Sequence, residues 1–536
     1  MENVPVQING KWVIVYLIYA DFVNEETQQS KSVINVELLQ TLDSLCEDIL
    51  KSKLFENRIS VYAIFSTLNY KKNSKGVSST FLFQIKEGVN NKNVILCQEF
   101  ESVKKTEKEI TISKVEDLGK IFKEINEREK NTEYKILLNT FDHGSVFGIF
   151  KNNQTKIEKM IEWSTVVNES YCFYLKEFAK AVQAVIKNNA KEGTMEFSDI
   201  RELVNSKKEF RLQGNKLYEF PVEDKKSGIN ITKLLMQMSL ENGVEYKVEL
   251  LSNKELAESI KMGFETKKID VVVMMNCWMM NIDTMCWLKD SVDILIAPQT
   301  GIEFPAYNYK SIMECFYDSA KKGEVLLPES LTDSIIDTIK DETGKRAATR
   351  EAIGRWAIFA VKLSSEDKLS RSTLIDLLVE KINEFAGYLL TVITTTEKDA
   401  LKRKNLIEFC TRLAYNFDVE AGYQQYDLLH VLSNIGKFHD GLLFDRLKMS
   451  EFERDLSNYI QAITLRSHKG DRWNNNQIYN NCNVTPTALS IYWPVSAFRK
   501  SDIFSDIILQ EIDQSSSAGF FNACKNWLLL MDEVVR

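Results

Sequence analysis

The chain has 536 residues, of which 44 % are hydrophobic and 27 % charged, and its net charge is −8. This length exceeds one ordinary hydrophobic core, and the composition is that of a folded soluble protein. The acidic balance provides no basic stripe for phosphate backbones, so we expect no nucleic-acid partner.

Cysteine usage and hydropathy indicate the compartment. No run approaches the roughly 18 to 20 apolar residues that span a bilayer, and the start, MENVPVQINGKW, lacks the order of a secretory signal. Nine irregularly spaced cysteines, without a C-x-x-C pair, suit free thiols in a reducing compartment. We therefore expect a cytoplasmic protein with no membrane partner and no metal site.

The first part of the chain alternates strand-like and helix-like segments. The segments predicted as strands are KWVIVYLIYADF, RISVYAIFS, SSTFLFQIK, NVILCQEFE and YKILLNTFDHG. Helices are predicted where apolar residues recur every three or four positions, over residues 36–49 and in VEDLGKIFKEINERE. Such alternation predicts an α/β structure with a largely parallel central sheet, in which function collects at the carboxyl ends of the strands.

The pattern loosens from about residue 151 to 230. The stretch 163–193 has a helical pattern, and the lysine-rich stretch 205–228 could be a loop or a small β-insertion. Its charge run is most simply a solvated face. The α/β rhythm then resumes with NKELAESIKMGF as a helix and KKIDVVVMMNCWMM as a strand.

After about residue 325 the chain is predicted to be mostly helical. The helical segments are REAIGRWAIFAVKL, STLIDLLVEKINEFAGYLLTVI, RKNLIEFCTRLAYNF, YDLLHVLSNI and SDIILQEID. TPTALSIYWPVS adds a late strand. The predicted organisation is an α/β domain in two parts, 1–150 and 231–325, separated by an insertion or linker at 151–230 and followed by a helical C-terminal domain at 326–536.

Two of the predicted strands end on a reactive side chain, one on His143 and the other on Cys277. If these strands are parallel neighbours, both side chains emerge at the same edge of the sheet, where an imidazole can assist a thiolate in attacking a carbonyl. Gly144 leaves its backbone N–H open to a developing oxyanion. Taken singly, a cysteine at a strand end is more often a packed core residue, and an Asp-His-Gly turn can be a capped loop.

The stretch from Ile269 to Tyr309 resembles the clostripain-like cysteine peptidases, the C11 family, which have a caspase and hemoglobinase-type fold. That family carries a strand of the type "IDLLGFDACLMG" and a loop of the type "ETIPGPGWPY". KWVIVYLIYAD, DHG and ALSIYWP also resemble family segments. The positions that match without a gap are Ile269, Asp270, Cys277, Met279, Leu288, Lys289, Asp290, Asp293, Ala297, Ile302 and Tyr309.

The resemblance implies a caspase-like sandwich and peptide hydrolysis through an acyl-enzyme. It implies His143 as general acid and base, Cys277 as nucleophile, and the backbone N–H groups of Gly144 and Cys277 as the oxyanion hole. The partner would be a protein or peptide substrate, and no cofactor is needed. Calcium supports some members of the family, but no calcium loop is present in this sequence.

The specificity pocket departs from the family pattern. The acidic residue two positions before the nucleophile is replaced by Met275, and a second acidic position falls near Pro305. A buried guanidinium without a carboxylate partner is costly, so a preference for arginine or lysine does not carry over. Glu303 could substitute as a substrate-binding residue or be a solvated loop glutamate, and a pocket lined by Met275 is the other option.

The insertion is the second departure. Its lysines at 207, 208, 225 and 226 are candidate self-cleavage sites. A regulatory role for the insertion is equally open, because a cytosolic protease must be held inactive until it is needed. This suggests an activator, such as a protein or a small signalling molecule in a stress or anti-phage response.

Two rival functions compete with a cytosolic cysteine endopeptidase. One is a catalytically silent caspase-like scaffold that binds a partner, which the absence of the pocket acids favours. The other is a nucleotide-binding module, which ranks low because the chain lacks a G-x-G-x-x-G motif and a P-loop. The methionines near Cys277 and the thiol of Cys286 are predicted to be core residues.

Overall fold

The computed structural model describes twenty ranges of the chain. They are 10–19, 59–69, 77–87, 93–100, 114–130, 132–141, 144–145, 148–155, 194–196, 209–213, 216–220, 246–302, 309–322, 324–349, 356–367, 372–396, 425–438, 444–470, 486–492 and 519–535. The helices predicted over 36–49, 163–193, 403–417 and 505–513 lie outside these ranges, as do the candidate cleavage sites at lysines 207, 208, 225 and 226.

The strands are numbered in chain order. They are β1 (Lys11–Tyr19), β2 (Ile59–Asn69), β3 (Val77–Glu87), β4 (Asn93–Phe100), β5 (Tyr134–Phe141), β6 (Gly144–Ser145), β7 (Gly148–Thr155), β8 (Thr194–Glu196), β9 (Glu209–Gln213), β10 (Lys216–Phe220), β11 (Tyr246–Ser252), β12 (Ile269–Met275), β13 (Val292–Pro298), β14 (Ala357–Lys362), β15 (Gln425–Asp427), β16 (Thr464–Lys469) and β17 (Ser490–Tyr492).

The helices are numbered in the same way. They are α1 (Val115–Glu129), α2 (Asn253–Phe264), α3 (Ile282–Leu288), α4 (Tyr309–Lys322), α5 (Pro328–Thr349), α6 (Leu374–Thr396), α7 (Leu428–Phe438), α8 (Arg446–Ile463), α9 (Phe520–Ala523) and α10 (Lys525–Val535). None of these helices is long and apolar enough to cross a membrane.

Ten strands form one sheet in the order β16-β14-β13-β12-β5-β1-β2-β3-β4-β8. The five strands from β13 to β2 pair in parallel, and both flanks of the sheet pair antiparallel. The central strands are apolar on both faces, which is the pattern of a sheet covered by helices on each side. The predicted α/β fold around a largely parallel central sheet is confirmed.

Helices pack on both faces of the sheet. On one face Phe122 of α1 and Phe264 of α2 stack at 5.2 Å between ring centroids, above the side chains that β1 and β5 direct to this face. On the other face Trp12 of β1 meets Phe316 of α4 edge to face at 5.6 Å, and its indole N–H donates to the Leu326 carbonyl. The molecule is thus a three-layer sandwich with its core on either side of β1, β5 and β12.

The segment REAIGRWAIFAVKL was predicted to be helical, and for residues 357–362 that prediction is wrong. They form β14, antiparallel to β13 and to β16, with Ile358, Phe359 and Ala360 all buried. A short apolar run buried on both faces cannot be distinguished from a buried helix by periodicity alone. The central sheet therefore extends into the range predicted as a helical domain.

The range predicted as an insertion contains strands. β8 pairs with β4 at the edge of the central sheet, and β9 and β10 form an antiparallel hairpin. Of the two interpretations offered for the stretch 205–228, a loop or a small β-insertion, the hairpin supports the second. β7 enters this range from the preceding one and pairs with β11 and β6.

Candidate active site

The strands that lead to His143 and Cys277 are adjacent and parallel, which meets the condition for their side chains to emerge at the same edge of the sheet. β5 pairs with β12, and Phe141 lies opposite Met275 in the register. Cys277 follows Met275 by two residues and His143 follows Phe141 by two residues. His143 lies outside the described residues, as does Glu303, so their predicted roles stay predictions.

Gly144, which begins β6, lies directly against the backbone of the cysteine. A Cβ at position 144 would be 2.2 Å from the carbonyl oxygen of Cys277 and 2.7 Å from its amide nitrogen. No Cβ is tolerated at such distances from backbone atoms, so only glycine fits here. The Asp-His-Gly motif is therefore joined to the nucleophile candidate through its glycine.

Cys277 is a partly exposed residue and carries a free thiol. The backbone N–H of Ile302 donates to Sγ at 3.3 Å, and Sγ lies 3.8 Å from the Ile302 carbonyl oxygen. A backbone N–H aimed at sulfur stabilises negative charge on it, as such donors do for oxyanions. Cys277 thus combines partial exposure with two hydrogen bonds to Ile302, of which the shorter, from the N–H, favours the thiolate and the longer, from the thiol to the carbonyl, favours the protonated form.

The turn after the cysteine has an uncommon backbone conformation. Trp278 has φ of 61°, in the left-handed region that bulky residues seldom adopt. Its N–H donates to the Thr300 carbonyl at 3.1 Å, and its carbonyl accepts from the Asn281 side chain at 2.9 Å. Strained residues of this kind persist where the surroundings hold them, and they concentrate at functional sites.

A buried side-chain hydrogen bond links the ends of the two strands. The hydroxyl of Thr140 on β5 donates to the side-chain oxygen of Asn276, which directly precedes the cysteine. Both residues are shielded from solvent. A hydrogen bond in this setting is difficult to break without leaving a buried polar group unpaired, so it fixes the spacing of the strands at the site.

Two of the positions that match the family pattern have structural partners. Asp270 at the start of β12 accepts the backbone N–H of Ile136 at 2.8 Å, and burial raises the pKa of its carboxyl. Lys289, after α3, pairs with Asp376 on α6. These contacts give both residues a structural role, because Asp270 joins β12 to β5 and Lys289 joins the end of α3 to α6.

The sulfur-containing residues around Cys277 are buried, as predicted. Met274, Met279 and Met280 are fully enclosed, and burial raises the pKa of the Cys286 thiol well above its ordinary value. Met275 is 5 % exposed and is the last residue of β12. Its predicted contact with substrate stays a prediction.

Sequence reasoning missed the residues that position the loop 299–302. Gln299 and Thr300 form hydrogen bonds with β14, and Thr300 also accepts the N–H of Trp278. Ile302 donates its N–H to the cysteine sulfur. The side chain of Gln299 also reaches Asp427 on β15. No local pattern marks a partner 128 residues away along the chain. The one available signal was an aspartate at the start of a helical segment.

The described residues contain no group of three or more histidine, cysteine, aspartate or glutamate side chains that could hold a metal ion. Cys277, Cys286, Cys315 and Cys524 are free thiols.

No protein-family model matches the chain, and neither does any curated protein. Among solved structures it is similar to a secreted C11 cysteine protease from Bacteroides thetaiotaomicron in complex with an irreversible peptide inhibitor, with 10 % identity over 97 % of this chain and 100 % of that chain and a TM-score of 0.49. A second structure from that organism, "iotapain", has 11 % identity over 90 % and 93 % of the two chains and a TM-score of 0.44.

An inactive zymogen C11 protease from Parabacteroides distasonis has 12 % identity over 98 % of both chains and a TM-score of 0.44.

Proposed function

We propose that this chain is a cysteine endopeptidase in which Cys277 is the nucleophile and His143 the general acid and base. The observation that carries the proposal is the backbone contact between Gly144 and Cys277, which brings the residue next to the histidine against the cysteine. The parallel register of β5 and β12 supports it, because each reactive residue follows a paired position by two residues.

In the proposed reaction the thiolate of Cys277 attacks the carbonyl carbon of the scissile peptide bond and forms a tetrahedral intermediate. The backbone N–H groups of Gly144 and Cys277 would donate to its oxyanion. His143 protonates the departing amine, and water then releases the acyl group from sulfur. The donor from Ile302 favours the thiolate before the attack.

The pocket for the residue before the cut is proposed to be uncharged and lined by Met275. Its side chain lies at the end of β12, on the sheet face that also carries Val271 and Val273. A basic preference would instead implicate Glu303. The two pockets predict different cleavage products and can be separated directly.

Activity is proposed to depend on a trigger in the cytoplasm, either a protein or a small signalling molecule. The free thiols of Cys277, Cys286, Cys315 and Cys524 suit a reducing compartment. A stress or anti-phage response is the setting in which an intracellular protease of this kind would need restraint. Trimming the 151–230 insertion is the test: full activity before and after trimming contradicts this regulation.

The test of the peptidase itself is mass-spectrometric mapping of cuts in a proteome-derived peptide library, with and without host-cell extract. Wild type is compared with Cys277→Ala. We expect cuts by the wild type that fall by at least about 1,000-fold in the variant, because the nucleophile is lost.

Cys315→Ala is the matched control, since Cys315 on α4 is also a partly exposed free thiol. We expect its cuts to equal those of wild type. Equal cuts by Cys277→Ala would assign the activity to another residue or to a contaminant. An absence of Cys277-dependent cuts in both conditions would favour the silent scaffold.

A further inference from the structure

The loop 299–302 supplies the hydrogen-bond donor that contacts the sulfur of Cys277. Thr300 accepts the N–H of the strained Trp278 through its carbonyl at 3.1 Å, and Ile302 donates its N–H to the sulfur of Cys277 at 3.3 Å. A displacement of the loop by 1 Å would remove the donor from hydrogen-bonding range of the sulfur. The groups that hold the loop therefore set the environment of the thiol.

Gln299 anchors this loop and is completely buried. Its backbone N–H donates to the Ala357 carbonyl at 2.8 Å. Its side-chain amide bridges two partners, since Nε2 donates to Oδ2 of Asp427 at 3.1 Å and Oε1 accepts the N–H of Ala488 at 3.1 Å. The loop is thus attached to Asp427 and Ala488 by the Gln299 side chain, and to β14 by two hydrogen bonds with Ala357.

Asp427 is also completely buried, and it directly precedes α7. Besides Gln299, its carboxylate accepts the backbone N–H and the hydroxyl of Thr487 and, at 3.3 Å, the backbone N–H of His430. The last contact is that of a helix N-cap, where the helix dipole favours negative charge. Four donors converge on one carboxylate that donates nothing in return.

This chemistry fixes the orientation of the Gln299 amide. A carboxylate only accepts and a backbone N–H only donates, so the NH₂ group must face Asp427 and the oxygen must face Ala488. In the reversed orientation the amide oxygen of Gln299 would face the carboxylate of Asp427, and its NH₂ group would face the N–H of Ala488. Ala488 itself is buried and has φ of 77°, which indicates that the surrounding contacts hold it in place.

We propose that Asp427 is a positioning residue for the nucleophile, which holds the loop 299–302 through Gln299 and so keeps the Ile302 N–H on the sulfur of Cys277. The C-terminal part of the chain thereby sets the reactivity of a thiol in the central sheet. The catalytic consequence rests on the proposed peptidase function, but the effect on the thiol can be measured without any substrate.

The experiment measures the rate of Cys277 alkylation by iodoacetamide at pH 7, read on the tryptic peptide by mass spectrometry, in wild type and in Asp427→Asn. We expect a decrease of about 10-fold, because an amide offers one acceptor oxygen to the four donors that the carboxylate accepts, and the lost hydrogen bonds weaken the anchor of the loop. For the peptidase reaction we expect kcat to fall by a similar factor while KM stays within about 2-fold. Circular dichroism restricts the comparison to conditions where each variant is folded.

A double-mutant cycle tests the orientation argument. Gln299→Glu alone places two carboxylates together and should slow alkylation. Gln299→Glu combined with Asp427→Asn restores a donor facing an acceptor, so we expect it to recover part of the rate that either single change loses. Gln299→Met removes both side-chain hydrogen bonds and replaces Asp427→Asn as the test if the latter does not fold.

Asp445→Ala is the destabilisation control. Asp445 caps α8 by accepting the N–H groups of Leu447 and Lys448, so its loss lowers stability without a contact to the loop. We expect unchanged alkylation of Cys277 in the folded protein. Wild-type alkylation in folded Asp427→Asn and Gln299→Met would overturn the inference. Slow alkylation in these variants together with an absence of cuts by wild type would retain it and reject the peptidase.

Discussion

The two ends of the central sheet use buried polar groups in opposite ways. Near the amino ends of the parallel strands, Lys11 pairs with Glu129, Tyr62 donates to the same carboxylate at 2.7 Å, and Gln84 donates to the Tyr62 oxygen at 2.8 Å. At the carboxyl ends, hydrogen bonds hold Cys277, which stays partly exposed. The first arrangement buries a carboxylate beneath its partners, and the second leaves a reactive residue accessible.

This difference separates stability from reactivity. A closed network of complementary donors and acceptors contributes to folding, and breaking it leaves a buried charge unpaired. An atom available to solvent contributes little to folding, yet it can meet a substrate. Substitutions at the amino end should therefore change stability, and substitutions at the carboxyl end should change reactivity.

Gly144→Ala should have the largest effect. The added Cβ would lie 2.2 Å from the Cys277 carbonyl oxygen, and backbone on both sides leaves no flexible atom to yield. We expect the loop carrying the Asp-His-Gly motif to move and Cys277-dependent cleavage to fall by at least about 100-fold, the magnitude associated with loss of an oxyanion donor. The measurement is kcat/KM on a peptide cut by wild type.

Gly344→Ala is the control for that substitution. A Cβ there meets nothing within 4 Å, and alanine is the better helix former inside α5. It should leave cleavage unchanged. If Gly144→Ala were as active as Gly344→Ala, the close contact between Gly144 and the backbone of Cys277 would not be needed for cleavage.

Glu129→Gln should mainly affect stability. Burial on its own raises the pKa of Glu129, but hydrogen bonds from Lys11 and Tyr62 outweigh it and hold that pKa below its ordinary value. The glutamine leaves Lys11 without its charge partner, so we expect a loss of about 3 kcal/mol in the free energy of unfolding at pH 7. Urea titration measures this loss, and alkylation of Cys277 in the folded protein should not change.

The pH dependence of this loss follows from the direction of the shift. A carboxyl whose folded-state pKa is lowered stabilises the protein above its unfolded pKa and loses that contribution as pH falls through the folded-state value. The difference between wild type and Glu129→Gln should therefore shrink in acid. Glu127→Gln breaks only an exposed pair with Lys130 and should leave the free energy of unfolding essentially unchanged. Equal losses in the two variants would contradict the closed network.

Much of the fold could be predicted from the sequence because its central strands are apolar on both faces and its helices carry clear 3.6-residue periodicity. α1, α2 and β12 follow the predicted segments closely. β14 was missed because WAIFAV is apolar throughout and carries no period that separates a strand from a buried helix. Sequence pattern gives the elements well where one period dominates.

The candidate site divides in the same way. The parallel edge predicted for the two reactive strands could be derived from the alternation of strands and helices, because parallel strands end together. The contact between Asp427 and Gln299 could not, since hydrogen bonds between distant segments leave no trace in local spacing. A reactive residue can have a recognisable local motif, but the residues that position it lie far away along the chain.

Asp283→Asn should have the smallest effect. It tests the comparison of the two ends of the sheet through the pH dependence of stability. Asp283 lies in the first turn of α3, six residues after Cys277, and burial raises its pKa to about 6. Asn253 donates to its carboxylate at 2.8 Å. The raised value means that the folded protein retains a proton which the unfolded chain, with the ordinary value of 3.8, has released between about pH 4 and 6.

Stability contributed by Asp283 is therefore lost as pH rises through this window, which is opposite in sign to the contribution of Glu129 at the other end of the sheet. We expect Asp283→Asn to flatten the pH dependence of Tm between pH 4 and 6 by about 2–4 °C, while Glu129→Gln removes stability mainly above pH 5. Thermal unfolding followed by circular dichroism across this range measures both. Parallel curves for wild type and Asp283→Asn would mean that this buried carboxyl titrates alike in the folded and unfolded states.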